Sequence, residues 1–143
     1  MGGYRSALPD IWQKPWFERL PYPTKLLFLY LFISTTSNVI GLFQASPRRI
    51  AMETDIPLDL LEEGMNELVK AGKVKTYTGD WIWVVNCAKH QVHTRSPQML
   101  VHISGLIERC NNEQARSDFS QHYKTLVELI VKLKKTPSQV HVK

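Results

Sequence analysis

Cys87, His90 and His93 stand three residues apart in turn, and with His102 and Cys110 downstream they are the side chains of this chain that come nearest to a metal site. Closed zinc sites bring two paired ligand knuckles, whereas this is one irregular cluster. The reading is therefore a small buried thiol beside a polar linker, with no metal and no cofactor expected. Covalent and hydrolytic chemistry has no better footing. The chain lacks G-x-x-x-x-G-K-[ST], G-x-G-x-x-G, H-E-x-x-H and G-x-S-x-G, and its acidic groups collect on an amphipathic helix where a solvated face explains them. An enzyme is not expected.

Charge is the chemistry that remains. The 143 residues carry 18 basic and 13 acidic side chains, a net charge of +5 with neutral histidine and a pI near 9.3, which points to a polyanionic partner. The excess is uneven: residues 1–56 carry +2, residues 57–72 carry −3 and residues 73–143 carry +6. Candidate phosphate contacts are Arg48 and Arg49 behind Ser46-Pro47, Lys73 and Lys75 on a strand, Lys89 and Arg95 beyond it, with Thr76, Tyr77 and Thr78 able to add hydrogen bonds. The acidic stretch carries Asp59, Glu62, Glu63 and Glu67, which would repel a DNA backbone and suit a protein partner better. Trp81 and Trp83 share one face of a strand; stacking on bases is one use, and burial under the N-terminal arm or the C-terminal helices is the commoner one.

These residues need elements to hold them. Leu26 to Ile33 runs without a polar break but is too short for a membrane span of about 20 residues, so it reads as the centre of a buried helix from Pro23 to about Thr36. Upstream, Leu8, Ile11, Trp12, Trp16 and Phe17 mark an arm with one short helix, interrupted by Pro9, Pro15 and Pro21. Val39 to Phe43 reads as a short strand, and Ser46-Pro47 caps a helix to about Thr54. After the break at Asp55-Ile56-Pro57, the residues Leu58, Leu61, Met65, Leu68 and Val69 line one face of a second helix that Gly72 ends. Val74–Tyr77 and Trp81–Asn86, joined by Thr78-Gly79-Asp80, should pair as a β-wing.

This is the element order of a winged helix-turn-helix: a mainly α fold with a small β-wing and extra N- and C-terminal helices. The expected division is an arm at 1–22, the winged domain at 23–95, a helical extension at 96–135 and a loose tail at 136–143. Lys89 to Pro97 reads as polar connection, Met99 to about Cys110 as a helix, and Glu113 to Lys135 as one last helix carrying Phe119, Tyr123, Leu126, Leu129, Ile130 and Leu133. That apolar stripe should fold back on Trp12, Trp16 and Phe17 or meet a second copy, and a homodimer is the favoured outcome. Two cysteines and the lack of a signal-peptide pattern at the start place the chain in the cytoplasm, off the membrane.

Taken together, Asn38-Val39-Ile40-Gly41-Leu42-Phe43, Ile50 to Ile56, Met65 to Val74, Gly79-Asp80-Trp81-Ile82 and Asn86 to Gln91 make the chain resemble the N-terminal domain of phage and prophage replication initiators. These are the replisome organisers related to DnaD-like primosomal proteins, and Tyr4-Arg5 with Ile11-Trp12 extends the likeness over residues 4–107. The resemblance implies a winged-helix domain that binds DNA at an origin of replication and recruits a helicase or its loader, often as an oligomer. It also implies DNA contacts from Arg48, Arg49, the wing around Thr78, and the Lys89-His90-Gln91 segment. The leading reading is thus a DNA-binding module of replication initiation. Beside it stand a protein-interaction module with the acidic helix as its surface, and a transcriptional regulator.

Overall fold

The computed structural model describes residues 8–34 and 36–135. A 3-10 turn (Pro9–Gln13) and one-turn helix α1 (Pro15–Glu18) form the arm and lead into α2 (Tyr22–Ile33). Then come β1 (Leu42–Gln44), α3 (Pro47–Thr54), α4 (Leu58–Lys70), β2 (Val74–Tyr77), β3 (Trp81–Val84), α5 (Cys87–Gln91), α6 (Pro97–Arg109), α7 (Glu113–His122) and α8 (Lys124–Lys134). The fold is mainly helical around one small antiparallel sheet of order β1-β3-β2. β3 is the middle strand, pairing Leu42 with Trp83 on one side and Val74 with Val84 on the other.

That central position organises the core. Side chains alternate along a strand, so Ile82 and Val84 join the first cluster with Phe17, Leu27, Phe28, Leu31, Ile50, Leu61 and Leu68, from the arm and α2 to α4. Trp81 and Trp83 point the other way, into a second cluster of Ile40, Leu42, Leu100, Ile103, Leu106, Phe119, Leu126 and Ile130. All four residues of β3 are buried. The two indoles lie under the C-terminal helices, one of the two burial sites expected for them.

Several expectations need correcting. The helix expected to reach Thr36 ends at Ile33, with Ser34 extended at its cap. Val39 and Ile40 are not strand residues: Asn38 Oδ1 accepts from the backbone of Ile40, Gly41 and Leu42 at 3.1, 2.9 and 3.3 Å, and its Nδ2 donates to Leu42 O at 2.8 Å. This side chain folds the segment into a turn that β1 leaves through Gly41 at φ +72°. Lys89 to Gln91, read as the start of a polar connection, belong to α5, which begins at Cys87 because Cys87 and Ala88 are buried, one in each cluster. The single helix expected over Glu113–Lys135 breaks at Tyr123, at φ −108° and ψ 50°. The Tyr123 hydroxyl donates to Val85 O at 2.6 Å and accepts from Lys89 N at 3.3 Å, which fixes the ring toward the sheet and turns the chain there. Burial pushes its pKa up to about 12.

The C-terminal stripe does not meet Trp12, Trp16 or Phe17. Phe119, Leu126 and Ile130 are instead buried in the second cluster, with Trp83 and the residues of α6. Among the described residues no helix is long and apolar enough to cross a membrane. The tail at 136–143 and Tyr4-Arg5 lie outside the described residues.

Candidate nucleic-acid interface

At the start of α3 the Ser46 Oγ accepts from Arg49 N at 3.2 Å, and Pro47 fills the first helical position, where no N–H is needed. Arg48 and Arg49 are thereby held exposed on the first turn. Their situations differ. Arg49 Nε lies 3.5 Å from Glu53, whose carboxylate also accepts from the Tyr30 hydroxyl and, at 3.4 Å, from Thr36. The Tyr30 hydrogen bond and then Arg49 hold the Glu53 carboxyl below its usual range. Arg48 has no carboxylate within ion-pair distance among the described residues.

α4 turns Leu61, Gly64 and Leu68 inward, which leaves Asp59, Glu62, Glu63 and Glu67 outside as their spacing requires. Glu67 is drawn to the edge, where it accepts from Thr24 Oγ1 of α2 at 3.3 Å. Between α4 and the β2–β3 hairpin runs a groove of about 300 Å³, floored by Ala45, Ile50, Leu61 and Ile82 and edged by Glu62 and Asp80. The outward face of this helix is therefore acidic where it borders the hairpin.

The hairpin residues are largely occupied by the chain itself. Lys75 Nζ sits 3.9 Å from Asp118 Oδ2, and the Tyr77 hydroxyl donates to the same oxygen at 2.8 Å. Burial, followed by Asp118, raises the Tyr77 pKa well above that of an ordinary phenol. Asn112 Nδ2 donates to both Thr78 O and Thr78 Oγ1 at 3.2 Å. Thr76 and Thr78 are exposed, and Thr76 and Tyr77 line the groove beside α4.

Lys73 and Lys89 come together at the opposite end of the hairpin, on a cavity of about 370 Å³ that Lys14 of the arm also lines. Ile11, Trp16, Phe28, Phe32 and Val84 wall it, and Lys73 Nζ lies 4.3 Å from the centre of the Trp16 ring. A cation over an indole face is held by the ring quadrupole. The expected contacts therefore fall into separate groups: Lys73 with Lys89 on this cavity, Arg48 with Arg49 on α3, Lys75 with Thr78 against α7. Arg95 is exposed in the connection after α5 and lines neither the groove nor the cavity. Gln91 is corrected outright: at 4% exposure its amide serves the interior and cannot reach a nucleic acid.

Lys14, Trp16 and Asn112 were not legible as site residues. The arm that carries Lys14 to the cavity docks through Trp16 and Phe17, whose ring centres lie 5.1 and 6.2 Å from that of Phe28, and no linear spacing records those contacts. The thiols part company. Cys87 belongs to the first cluster, its Sγ 3.6 Å from Asn38 O, and Cys110 to the second, its Sγ 3.5 Å from Asn112 O. Among the described residues no group of three His, Cys, Asp or Glu side chains could hold a metal. Compared with protein-family models, curated proteins and solved structures, the chain matches none.

Proposed function

We propose that this chain is a winged helix-turn-helix module that binds DNA through its phosphates in replication initiation, as the resemblance to phage replisome organisers implies. The observation that carries the reading is the α3–turn–α4 pair: Asp55, in the left-handed conformation at φ 62°, turns the chain between them, and α2 packs behind with the antiparallel sheet at the side. On this arrangement α4 is the recognition helix, and its carboxylates exclude close approach to phosphates. Binding then rests on Arg48 and Arg49 at the helix start and on the cations beside the hairpin, with little reading of bases. A protein-interaction role is the second reading, favoured by the acid-edged groove between α4 and the hairpin.

Salt-titrated binding to duplex, forked and single-stranded probes tests the proposal, because the slope of log K against log salt counts neutralised phosphates. Changing Arg48 and Arg49 together to Ala is expected to weaken binding and flatten that slope by about one to two, the lower end applying if Glu53 already occupies Arg49. A fold check by circular dichroism should be unchanged, since both side chains are exposed. Identical curves for variant and parent would remove α3 from the interface, and no binding to any probe at low salt would leave the protein-interaction reading standing.

A second expectation concerns the acids. Glu62→Gln with Glu63→Gln should leave DNA affinity equal or raise it several-fold, because the change only lessens repulsion. Loss of affinity or of discrimination between probe sequences, with the fold intact, would show that α4 reads bases.

A further inference from the structure

The cavity under the N-terminal arm has a composition that DNA backbone contact does not require. It is a recess and not a surface stripe: the arm closes one side through Ile11 and Trp16, α2 another through Phe28 and Phe32, and the sheet a third through Val84. Its volume of about 370 Å³ lies at the small end of the range for small-molecule sites, which runs from about 300 Å³ upward. Three lysines from three separate parts of the chain line this recess, the exposed Lys14 and Lys89 and the half-buried Lys73. One carboxylate answers them, Asp10, and it is placed 3.8 Å from Lys14. Neither Lys73 nor Lys89 has a carboxylate within ion-pair distance among the described residues. Asn86 and His90 complete the polar lining, His90 beside the Phe32 ring at 6.0 Å between centres.

Like charges gathered at one recess repel, and that repulsion is relieved when an anion enters. A duplex backbone runs past a surface, whereas a recess closed on three sides admits a terminal group. We propose that this cavity binds a nucleotide phosphate monoester, its charge on Lys14, Lys73 and Lys89 and its nucleoside toward the apolar walls. The source is either a free nucleotide or the phosphorylated end of a strand. The monoester is preferred over the diester because it carries up to two charges and three terminal oxygens, enough to take hydrogen bonds from several lysines together. The inference stands on the cavity alone and does not depend on DNA binding by α3.

His90 supplies an internal reporter. Burial first, then Lys89 and Lys14, hold its pKa below the ordinary histidine value, with Asp10 opposing weakly. An anion among these charges opposes that shift, so occupancy should raise the His90 titration midpoint.

Calorimetric titration with inorganic phosphate, deoxyadenosine monophosphate and deoxyadenosine tests the proposal, alongside a short single strand with and without a terminal phosphate. The monophosphate is expected to bind at least about tenfold tighter than the nucleoside, and Lys73→Gln with Lys89→Gln to remove that difference. A phosphorylated strand binding more tightly than the free nucleotide identifies a strand end as the source, and the reverse order identifies the free nucleotide. In the unaltered protein the His90 imidazole resonances should move on addition of the monophosphate, a readout that survives if the double variant fails to fold. Equal affinity for nucleoside and monophosphate, or an unmoved His90 signal at saturation, overturns the assignment. Duplex probes without terminal phosphates are measured in parallel, so loss of DNA binding by Arg48 and Arg49 variants and loss of monoester binding here are separate results.

Discussion

Phe119→Ala is expected to lower the unfolding free energy by about 3–5 kcal/mol, a large share of the 5–15 kcal/mol typical of a domain. Phe119 is fully buried, its ring 6.0 Å from Trp83 and 4.9 Å from Tyr123 between ring centres. It thus joins α7 to the middle strand. Because β3 also contributes Ile82 and Val84 to the other cluster, damage on one face should reach both. Urea denaturation followed by far-ultraviolet circular dichroism and by tryptophan fluorescence should show an earlier midpoint in both signals. A loss under about 1 kcal/mol would mean that the second cluster collapses around the vacancy or contributes little.

Gly41→Ala should be comparably harmful for a backbone reason. Gly41 has φ +72°, and a Cβ placed there would lie 2.5 Å from Cys87 Cβ and 2.9 Å from Val84 O. Both are rigid, so the turn into β1 or the start of α5 must move, and the Gly41 O that accepts from Val84 N at 2.8 Å moves with it. Strain and displacement together are expected to exceed about 3 kcal/mol, read as a lower denaturation midpoint. Shrinking Cys87 to Ala should not rescue the variant, since the conflict is with the Cβ that Ala retains. A rescued double variant, or a Gly41→Ala protein as stable as its parent, would show that the turn tolerates a side chain.

The candidate site was legible in uneven measure. Arg48 and Arg49 stand where Ser46-Pro47 announces them, and the acids of α4 are outside because Leu61, Gly64 and Leu68 go inside. Those are local facts, fixed by capping and by a period of 3.6 residues. Lys14 could not be placed in the same way, because its position follows from edge-on contacts of Trp16 and Phe17 with Phe28 across two elements. Gln91 misled for a related reason: the resemblance implied a contact there, but α5 is pinned by Cys87 and Ala88 and leaves Gln91 buried.

What the sequence determined by itself was the run of elements from α2 to β3, since helix starts, breaks and the hairpin turn are set by neighbours a few residues away: Ser46 and Pro47, Asp55 to Pro57, Gly72, Thr78 to Asp80. Tertiary structure decided three further things. It paired β1 with β3 and so buried the strand on both faces. It broke the last helix at Tyr123, where the bond to Val85 O replaces a straight continuation. It also laid the C-terminal stripe on Trp83, leaving the lysines of three separate segments to converge on the other side. Each depends on contacts between residues far apart in the chain. An apolar period records that a face must be covered, and only the packed chain records by what.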